Sequence, residues 1–279
     1  MDSTLPWQLA LYEKSLKKKE KVALLDALIP AGAHRRCLEI GCARGTISYF
    51  LRKRGGRWAH VDLDLANVAS ARTLLGDGVA QFGPEGLPFR NRSFDGLVVL
   101  DYLEHVHDDE HCLDEVDRVL EPGGTLYLST PTEGGFLNWL KPRIGLTLDQ
   151  YGHVREGYRL ADLKARLTRR GYRVLDTSTY SFFFTEALEM LINAAFVLLG
   201  KKKRATAAEA SRDGHIAPSS EAEFRKNAKQ LKIYGLIYPV FRAVALLDRL
   251  CPASSGYALV LRAVREPGPA PGAAVASAS

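Results

Sequence analysis

The sequence predicts a doubly wound α/β fold with a mostly parallel sheet of seven strands. Short apolar runs, which are typical of buried strands, alternate along the chain with amphipathic segments typical of helices. Neighbouring parallel strands need a crossover connection, usually a helix, and such crossovers are right-handed. The alternation therefore favours one sheet covered by helices on both faces.

The strands and helices are predicted in a regular order. The predicted strands are Arg36–Ile40, Trp58–Leu63, Val79–Phe82, Phe94–Leu100, Thr125–Ser129, Tyr172–Thr179 and Tyr257–Val264. The predicted helices are residues 8–29, Thr46–Lys53, Leu65–Leu75, Glu110–Leu120 and Leu160–Arg170. Pro30 and Gly32 end the first helix, and residues Glu121–Gly124 form a turn before the fifth strand.

A helical insert is expected between the sixth and seventh strands. It contains two apolar segments, Phe182–Leu199 and Ile233–Leu250, joined by a polar stretch of small residues that we expect to be mobile. The predicted organisation has four parts. They are an N-terminal helical segment 1–30, an α/β domain 31–181 plus 256–265, the insert 182–255, and a disordered tail 266–279.

The chain is basic, with a formal net charge of +6 over 279 residues. Two short runs, Lys17–Lys19 and Lys201–Arg204, carry much of this charge. Such runs are either solvated faces or contacts with an anionic surface. No RNA-binding motif with interleaved aromatic residues accompanies them, so we expect no nucleic-acid partner and rank an anionic membrane surface above it.

Cysteine usage and the first residues indicate the compartment. The four cysteines form no C-x-x-C pair, which favours a reduced, cytosolic protein. The N-terminus has no signal-peptide pattern, and no uninterrupted apolar stretch has the length of about 20 residues that a membrane span needs. We expect a cytoplasmic protein with peripheral contact at the inner face of the membrane. The sequence does not indicate an oligomeric state.

A loop of small residues follows the first predicted strand. Glu39 precedes it, and it contains Gly41, Cys42, Ala43 and Gly45. Small residues let the backbone approach a ligand closely, and the next helix begins with exposed N–H donors. A tight turn without a ligand is the alternative. The dinucleotide fingerprint G-x-G-x-x-G fails at its third position, which argues against a nicotinamide enzyme.

The second predicted strand ends in an acidic residue. Asp62 lies about 20 positions after the glycine loop, where a carboxylate can accept both ribose hydroxyls of an adenosine, with Leu63 beside it. A helix cap or a surface charge is the alternative for Asp62. Asp64, two residues later, is expected to cap the next helix.

Five segments in order resemble the class I S-adenosylmethionine-dependent methyltransferases. The resemblance covers roughly residues 20–180 and the last strand, and it is closest to the group that includes ubiquinone and menaquinone methyltransferases. The segments are the glycine loop, Leu87–Val99 (LPFRNRSFDGLVV), Asp101–Val106 (DYLEHV), Glu115–Gly124 (EVDRVLEPGG) and Gly152–Arg155 (GHVR).

The resemblance implies a Rossmann-like methyltransferase fold with S-adenosylmethionine as cofactor. It places Asp101 and Tyr102 beside the cofactor as well. Two positions depart from the family pattern: Ala43 replaces the middle glycine, and Gly83 stands where an Asp often contacts adenine. Pro84 follows and has no N–H to donate, so backbone groups or Glu85 would have to recognise the adenine.

Histidines are the candidate catalytic residues. A hydroxyl acceptor needs a base with a pKa near ambient pH, and the resemblance puts His105 beside the reacting methyl group, with His153 as a second candidate. Structural hydrogen bonds are the alternative for both. His107 and His111 could bind a metal together with His105, but residues 108–110 are more typical of a helix start. We therefore predict no metal.

The sequence thus predicts an enzyme that transfers a methyl group to a small, hydrophobic or lipid-like acceptor. The insert would select the acceptor as a lid resting on the membrane interface. Two packed cap helices are the plainer interpretation. A different class of function also stays open: a non-catalytic methyltransferase-like module that binds or assembles at the membrane surface, favoured by Ala43 and Gly83.

Overall fold

The computed structural model describes residues 5–83, 85–201, 221–226 and 228–267. Seven strands form one sheet in the order β3-β2-β1-β4-β5-β7-β6. The strands are β1 Arg36–Ile40, β2 Arg57–Asp62, β3 Val79–Gln81, β4 Phe94–Leu100, β5 Leu120–Pro131, β6 Tyr172–Tyr180 and β7 Ala258–Arg265. Strands β1 to β5 pair in parallel, and β7 runs antiparallel to both of its neighbours. The predicted mostly parallel seven-stranded sheet is therefore confirmed.

Helices connect the strands and cover the sheet. They are α1 Trp7–Tyr12, α2 Leu16–Leu28, α3 Thr46–Arg52, α4 Leu65–Leu75, α5 Asp109–Val119, α6 Phe136–Leu140, α7 Leu160–Arg169, α8 Phe183–Lys201, α9 Glu221–Lys226 and α10 Ala228–Ala245. The single helix expected over 8–29 is two helices. Ser15 interrupts it because its side chain accepts a hydrogen bond from the Lys18 N–H and caps α2.

The central strand β4 shows why the sheet is covered on both faces. Leu97 and Val99 point into the cluster that contains Leu113 and Val116 of α5. Val98 and Leu100 point into the opposite cluster, which contains Leu25 of α2 and Leu51 of α3. Successive side chains of a strand face opposite ways, so a strand that is apolar throughout needs a helical layer on each side.

Strand β5 is longer than predicted. The residues expected to form a turn before it, 121–124, lie within the strand, because Leu120 pairs with Phe94 before the turn and Thr125 pairs with Gly96 after it. The side chains of Leu120 and Phe94 are both buried, and their burial holds the two strands in this pairing although the register shifts after it. Residues 121–124 therefore form a bulge within one continuous strand.

The insert between β6 and β7 begins with α8. Asp248 joins its two described helical parts, since its carboxylate accepts hydrogen bonds from the N–H groups of Phe184 and Thr185 at the start of α8. A turn of 3-10 helix, Leu246–Leu250, follows α10 and carries this aspartate. The stretch expected to be mobile, residues 205–220, and nearly all of the tail expected to be disordered, residues 268–279, lie outside the described residues.

Candidate active site

The carboxyl ends of the parallel strands meet at one edge of the sheet, and the glycine loop lies there between β1 and α3. Gly41 has φ +82°, and a Cβ on it would lie 3.1 Å from the Leu100 carbonyl oxygen and 3.1 Å from the Tyr102 Cβ. Gly45 has φ +80°, and a Cβ on it would lie 3.2 Å from the Cα of Ala71 on α4. The loop is thus clamped between two elements and has no room for side chains at its two glycines.

Ala43 keeps the conformation that glycine would have at this position. Its φ is 45°, in the left-handed region, and the residue is exposed. Its N–H donates to Asp62 Oδ2 at 2.8 Å. Cys42 beside it is buried against Val68 and Ala71. The extra methyl group therefore leaves the turn of the loop intact.

Asp62 ends β2 and joins the glycine loop to α4. Besides the Ala43 N–H, its carboxylate accepts the Asp64 N–H at 2.9 Å and the Asn67 side-chain amide at 3.2 Å. Leu63 follows it and is partly exposed at the same edge. Asp64 caps α4 as predicted, since it accepts the Ala66 N–H at 2.7 Å. The carboxylate expected to hold a ribose is thus fixed in position before any ligand binds.

Glu39 lies behind the loop, in the sheet. Its carboxylate is 1% exposed and is 2.6 Å from His60 Nδ1 on the neighbouring strand β2. Arg52 of α3 donates to the other nitrogen of the same imidazole at 3.0 Å. Glu39 therefore stabilises the strands behind the loop through His60 and Arg52. Its direct contact with a cofactor stays a prediction.

Glu85 occupies the space that a side chain at position 83 would take. Its two carboxylate oxygens are the atoms that a Cβ on Gly83 would meet first. Gly83 lies two residues after the end of β3, at the carboxyl edge of the sheet. Pro84 lies outside the described residues. A carboxylate is thus present near the place where the family often has an aspartate, although it comes from two residues later.

Asp101 and Tyr102 follow β4 directly, and Tyr102 packs against Gly41. Asp101 has φ 45°, forms an ion pair with Lys21 of α2, and accepts a hydrogen bond from Ser129 Oγ at 2.8 Å. Burial alone would raise the pKa of Asp101, but Lys21 and the Ser129 hydroxyl hold it well below its usual range. Tyr102 is buried and touches the loop at Gly41.

The two predicted catalytic histidines lie together beyond Asp101. Their ring centroids are 4.7 Å apart in an edge-to-face arrangement. His105 Nδ1 is 2.9 Å from the Gly152 carbonyl oxygen, which can only accept, so Nδ1 carries the proton and Nε2 is the basic nitrogen of the neutral ring. Burial lowers the pKa of His153 to about 4, so this imidazole is neutral at pH 7.

Glu104 lies beside the two histidines. It is fully buried, and burial raises its pKa to about 8, so it is mostly protonated at pH 7. One ligand atom each of Glu104, His105 and His153 lies within 4.8 Å of the others. These three groups could share protons or bind a cation. In the part of the chain that is described, His107 and His111 belong to no such group.

A second polar cluster was not predicted from the sequence. Glu186 of α8 accepts hydrogen bonds from Lys141 Nζ at 2.7 Å, Lys17 Nζ at 3.2 Å and Ser181 Oγ at 2.6 Å. Burial alone would raise the pKa of Glu186, but the two lysines lower it to about 2. The sequence feature that could have indicated this cluster is the helical face shared by Glu186 and Asn193. In the structure this face points inward, and Asn193 donates a hydrogen bond to Tyr151.

Comparisons with known proteins agree with this geometry. A family model described as "Methyltransferase domain" matches residues 38–128, from β1 through most of β5. A "Ubiquinone biosynthesis O-methyltransferase" of Pseudomonas aeruginosa is 33% identical over 107 residues, covering 35% of this chain and 45% of that protein. A Mycolicibacterium smegmatis protein named "Probable S-adenosylmethionine-dependent methyltransferase" is 32% identical over 146 residues, covering 52% of this chain and 54% of that one.

The chain thus spans about half the length of the curated relatives it matches. Among solved structures, the [4+2]-cyclase SpnF superposes with a TM-score of 0.57 at 18% sequence identity, covering 90% of this chain and 82% of that one. At this identity the likeness concerns the fold alone. Residues 38–128 thus match a methyltransferase domain, and this match together with the seven-stranded sheet supports a class I S-adenosylmethionine-dependent methyltransferase.

Proposed function

We propose that this protein transfers a methyl group from S-adenosylmethionine to a small acceptor with an apolar body and a polar reacting end. One observation carries the proposal. The glycine loop, fixed by Asp62, opens at the same edge of the sheet as His105, with Asp101 between them. A cofactor site and a candidate base thus adjoin, as a transfer reaction requires.

The residues present fit the cofactor. The loop at Gly41 leaves no space for a side chain, so its backbone is the surface offered to the methionine part. Asp62 would hold the ribose, and Glu85 would face the adenine. When bound, S-adenosylmethionine supplies an activated methyl group, so the protein has to orient the acceptor and exclude water.

His105 would take the acceptor's proton at Nε2. Its Nδ1–H is held by the Gly152 carbonyl group, which fixes the ring and leaves Nε2 as the proton acceptor. His153, neutral at pH 7, lies against the same ring and adds no competing positive charge. Such a positioned base contributes about 10²–10⁴-fold to proton-transfer chemistry.

Two features support an acceptor with both polar and apolar parts. The inward face of α8 presents Glu186 and Asn193 toward residues near the histidines, including Tyr151, which is 5.8 Å from the His153 ring. The same helix buries Met190 against Leu137. The name of the Pseudomonas relative, which refers to ubiquinone biosynthesis, is consistent with an acceptor of this kind.

The acceptor class can be tested with methyl-labelled S-adenosylmethionine and lipid extracts of the native host. We expect label in the organic phase, and transfer reduced about 10²–10⁴-fold in His105→Gln with cofactor affinity unchanged. His111→Gln, an exposed histidine on α5, is the matched control and should transfer normally. Full transfer by His105→Gln would exclude His105 as the base.

A non-catalytic binding module is the second candidate. It is favoured by Ala43 and by Gly83, the two departures from the family pattern. The same labelling experiment separates the two functions. A protein that binds S-adenosylmethionine but labels nothing in any extract would support the module.

A further prediction concerns the proposed ribose contact. Asp62→Ala removes the carboxylate that fixes the loop and that would accept the ribose hydroxyls. We expect a loss of about 1–3 kcal/mol in S-adenosylmethionine binding, the range of hydrogen bonds to a charged group. Calorimetric titration measures it. Asp64→Ala is the control: it removes the α4 cap two residues away and should keep its affinity.

A further inference from the structure

The outer face of α10 and of the 3-10 turn after it is an exposed apolar stripe. Residues 236, 240, 243, 247 and 250 are spaced by four, three, four and three positions, so they share one helical face. The large side chains among them are Leu236 at 81% exposed, Val240 at 61%, Leu247 at 42% and Leu250 at 80%. A packed cap helix would bury such a face, and this one is turned away from the domain.

Two arginines lie on the same helical segment, about a third of a turn around the helix from the stripe. Arg242 and Arg249 are seven positions apart, are exposed, and line a groove of about 340 Å³ together with Leu246. Neither guanidinium has a hydrogen bond or an ion pair with a described residue. The acidic groups of the groove are already engaged, since Asp248 accepts two N–H groups of α8 and Glu20 accepts the Ser181 N–H.

We propose that this face docks the protein on a bilayer containing anionic phospholipids. The apolar stripe would enter the headgroup region, and the two arginines, with long stems, would reach the lipid phosphates. The chemistry is complementary, because guanidinium forks match phosphate oxygens and the chain carries net positive charge. Within the described residues, no helix has the length and apolar composition to cross a bilayer.

Docking through this face would also orient the candidate active site relative to the membrane. Helix α10 contacts α8, and Asn193 of α8 donates a hydrogen bond to Tyr151, whose ring lies beside that of His153. Docking would therefore bring the acceptor side of the protein to the membrane surface, where amphiphilic molecules concentrate. The inference goes beyond the proposed function, because attachment to lipid needs neither the cofactor nor methyl transfer.

Vesicle flotation of the full chain tests the docking face. We expect binding to vesicles of equal parts phosphatidylcholine and phosphatidylglycerol at low salt, and weak binding to phosphatidylcholine alone. In Arg242→Gln/Arg249→Gln, partitioning should fall about 30-fold, since each basic side chain near an anionic surface is worth about a factor of five. Leu236→Gln/Leu250→Gln, at two highly exposed positions, should weaken binding on the order of tenfold or more.

The matched control is Arg90→Gln/Arg92→Gln. It removes the same charge from two exposed arginines before β4, at the opposite edge of the sheet, and should bind vesicles like the wild type. Equal losses in both arginine variants would overturn the proposal, because net charge alone would then explain binding. A wild-type protein that ignores anionic vesicles would also overturn it. So would a dimer in light scattering that Leu236→Gln/Leu250→Gln dissociates.

Discussion

Gly41→Val is expected to remove most of the stabilisation of the fold by S-adenosylmethionine. With φ +82° and a Cβ position 3.1 Å from the Leu100 carbonyl oxygen, a branched side chain forces the loop out of its turn. Holding the loop in its binding geometry against left-handed strain and overpacking costs about 2–5 kcal/mol, so we expect a loss of affinity of about 30-fold or more. Thermal unfolding measures it: saturating ligand, at about 100 times the Kd, stabilises the wild type by about 2.7 kcal/mol.

Gly123→Val is the control for this variant. Gly123 has the same φ of +82°, but a Cβ there meets nothing within 4 Å, and the bulge in β5 is far from the loop. Both variants carry the backbone strain, and only Gly41→Val also disturbs the proposed site. If Gly41→Val keeps the full ligand-induced shift in unfolding temperature, the glycine loop is not where the cofactor binds.

Lys21→Met should destabilise the fold by about 3 kcal/mol. Lys21 is buried in an ion pair with Asp101, and removing it takes away the cation that is hydrogen-bonded to this carboxylate. Urea denaturation at pH 7 measures the loss. The matched control is Lys19→Met on the same helix, whose partner Glu13 is exposed, and it should cost less than about 1 kcal/mol.

The same pair predicts a pH dependence. Because the folded state holds the pKa of Asp101 below its usual range, the stability from this carboxylate is present above about pH 4 and is lost as the pH falls further. The difference between wild type and Lys21→Met should therefore shrink in acid. Lys21→Met/Asp101→Asn should recover part of the lost stability. An unchanged difference from pH 7 to pH 3 would contradict the assigned pair.

The strands and most helices could be predicted because their signal is local. The apolar run of β4 and the amphipathic spacing of α5 each determine an element without reference to the rest of the chain. The elements predicted wrongly depend on competing interactions. Ser15 divides the N-terminal helix through one side-chain hydrogen bond, and residues 121–124 join β5 because β4 pairs on both sides of them.

The candidate site was predictable where a motif marks it and not where distant segments meet. The glycine loop, Asp62 and His105 each lie in a recognisable segment. The partnership of Lys21 with Asp101 joins residues 80 positions apart, and that of Lys17 with Glu186 joins residues 169 apart. Neither periodicity nor composition reports such contacts. The lysine run 17–19 was visible, but the partner of Lys17 lies on α8 and is set by the tertiary fold.

A calorimetric titration of the wild-type chain with S-adenosylmethionine tests the proposed cofactor site most directly. The glycine loop, the fixed carboxylate of Asp62 and the match to a methyltransferase domain together predict saturable binding at one site per chain. The demethylated product S-adenosylhomocysteine should compete for the same site. A folded wild-type protein that gives no saturable heat with either compound would contradict the assignment of this edge of the sheet as a cofactor site.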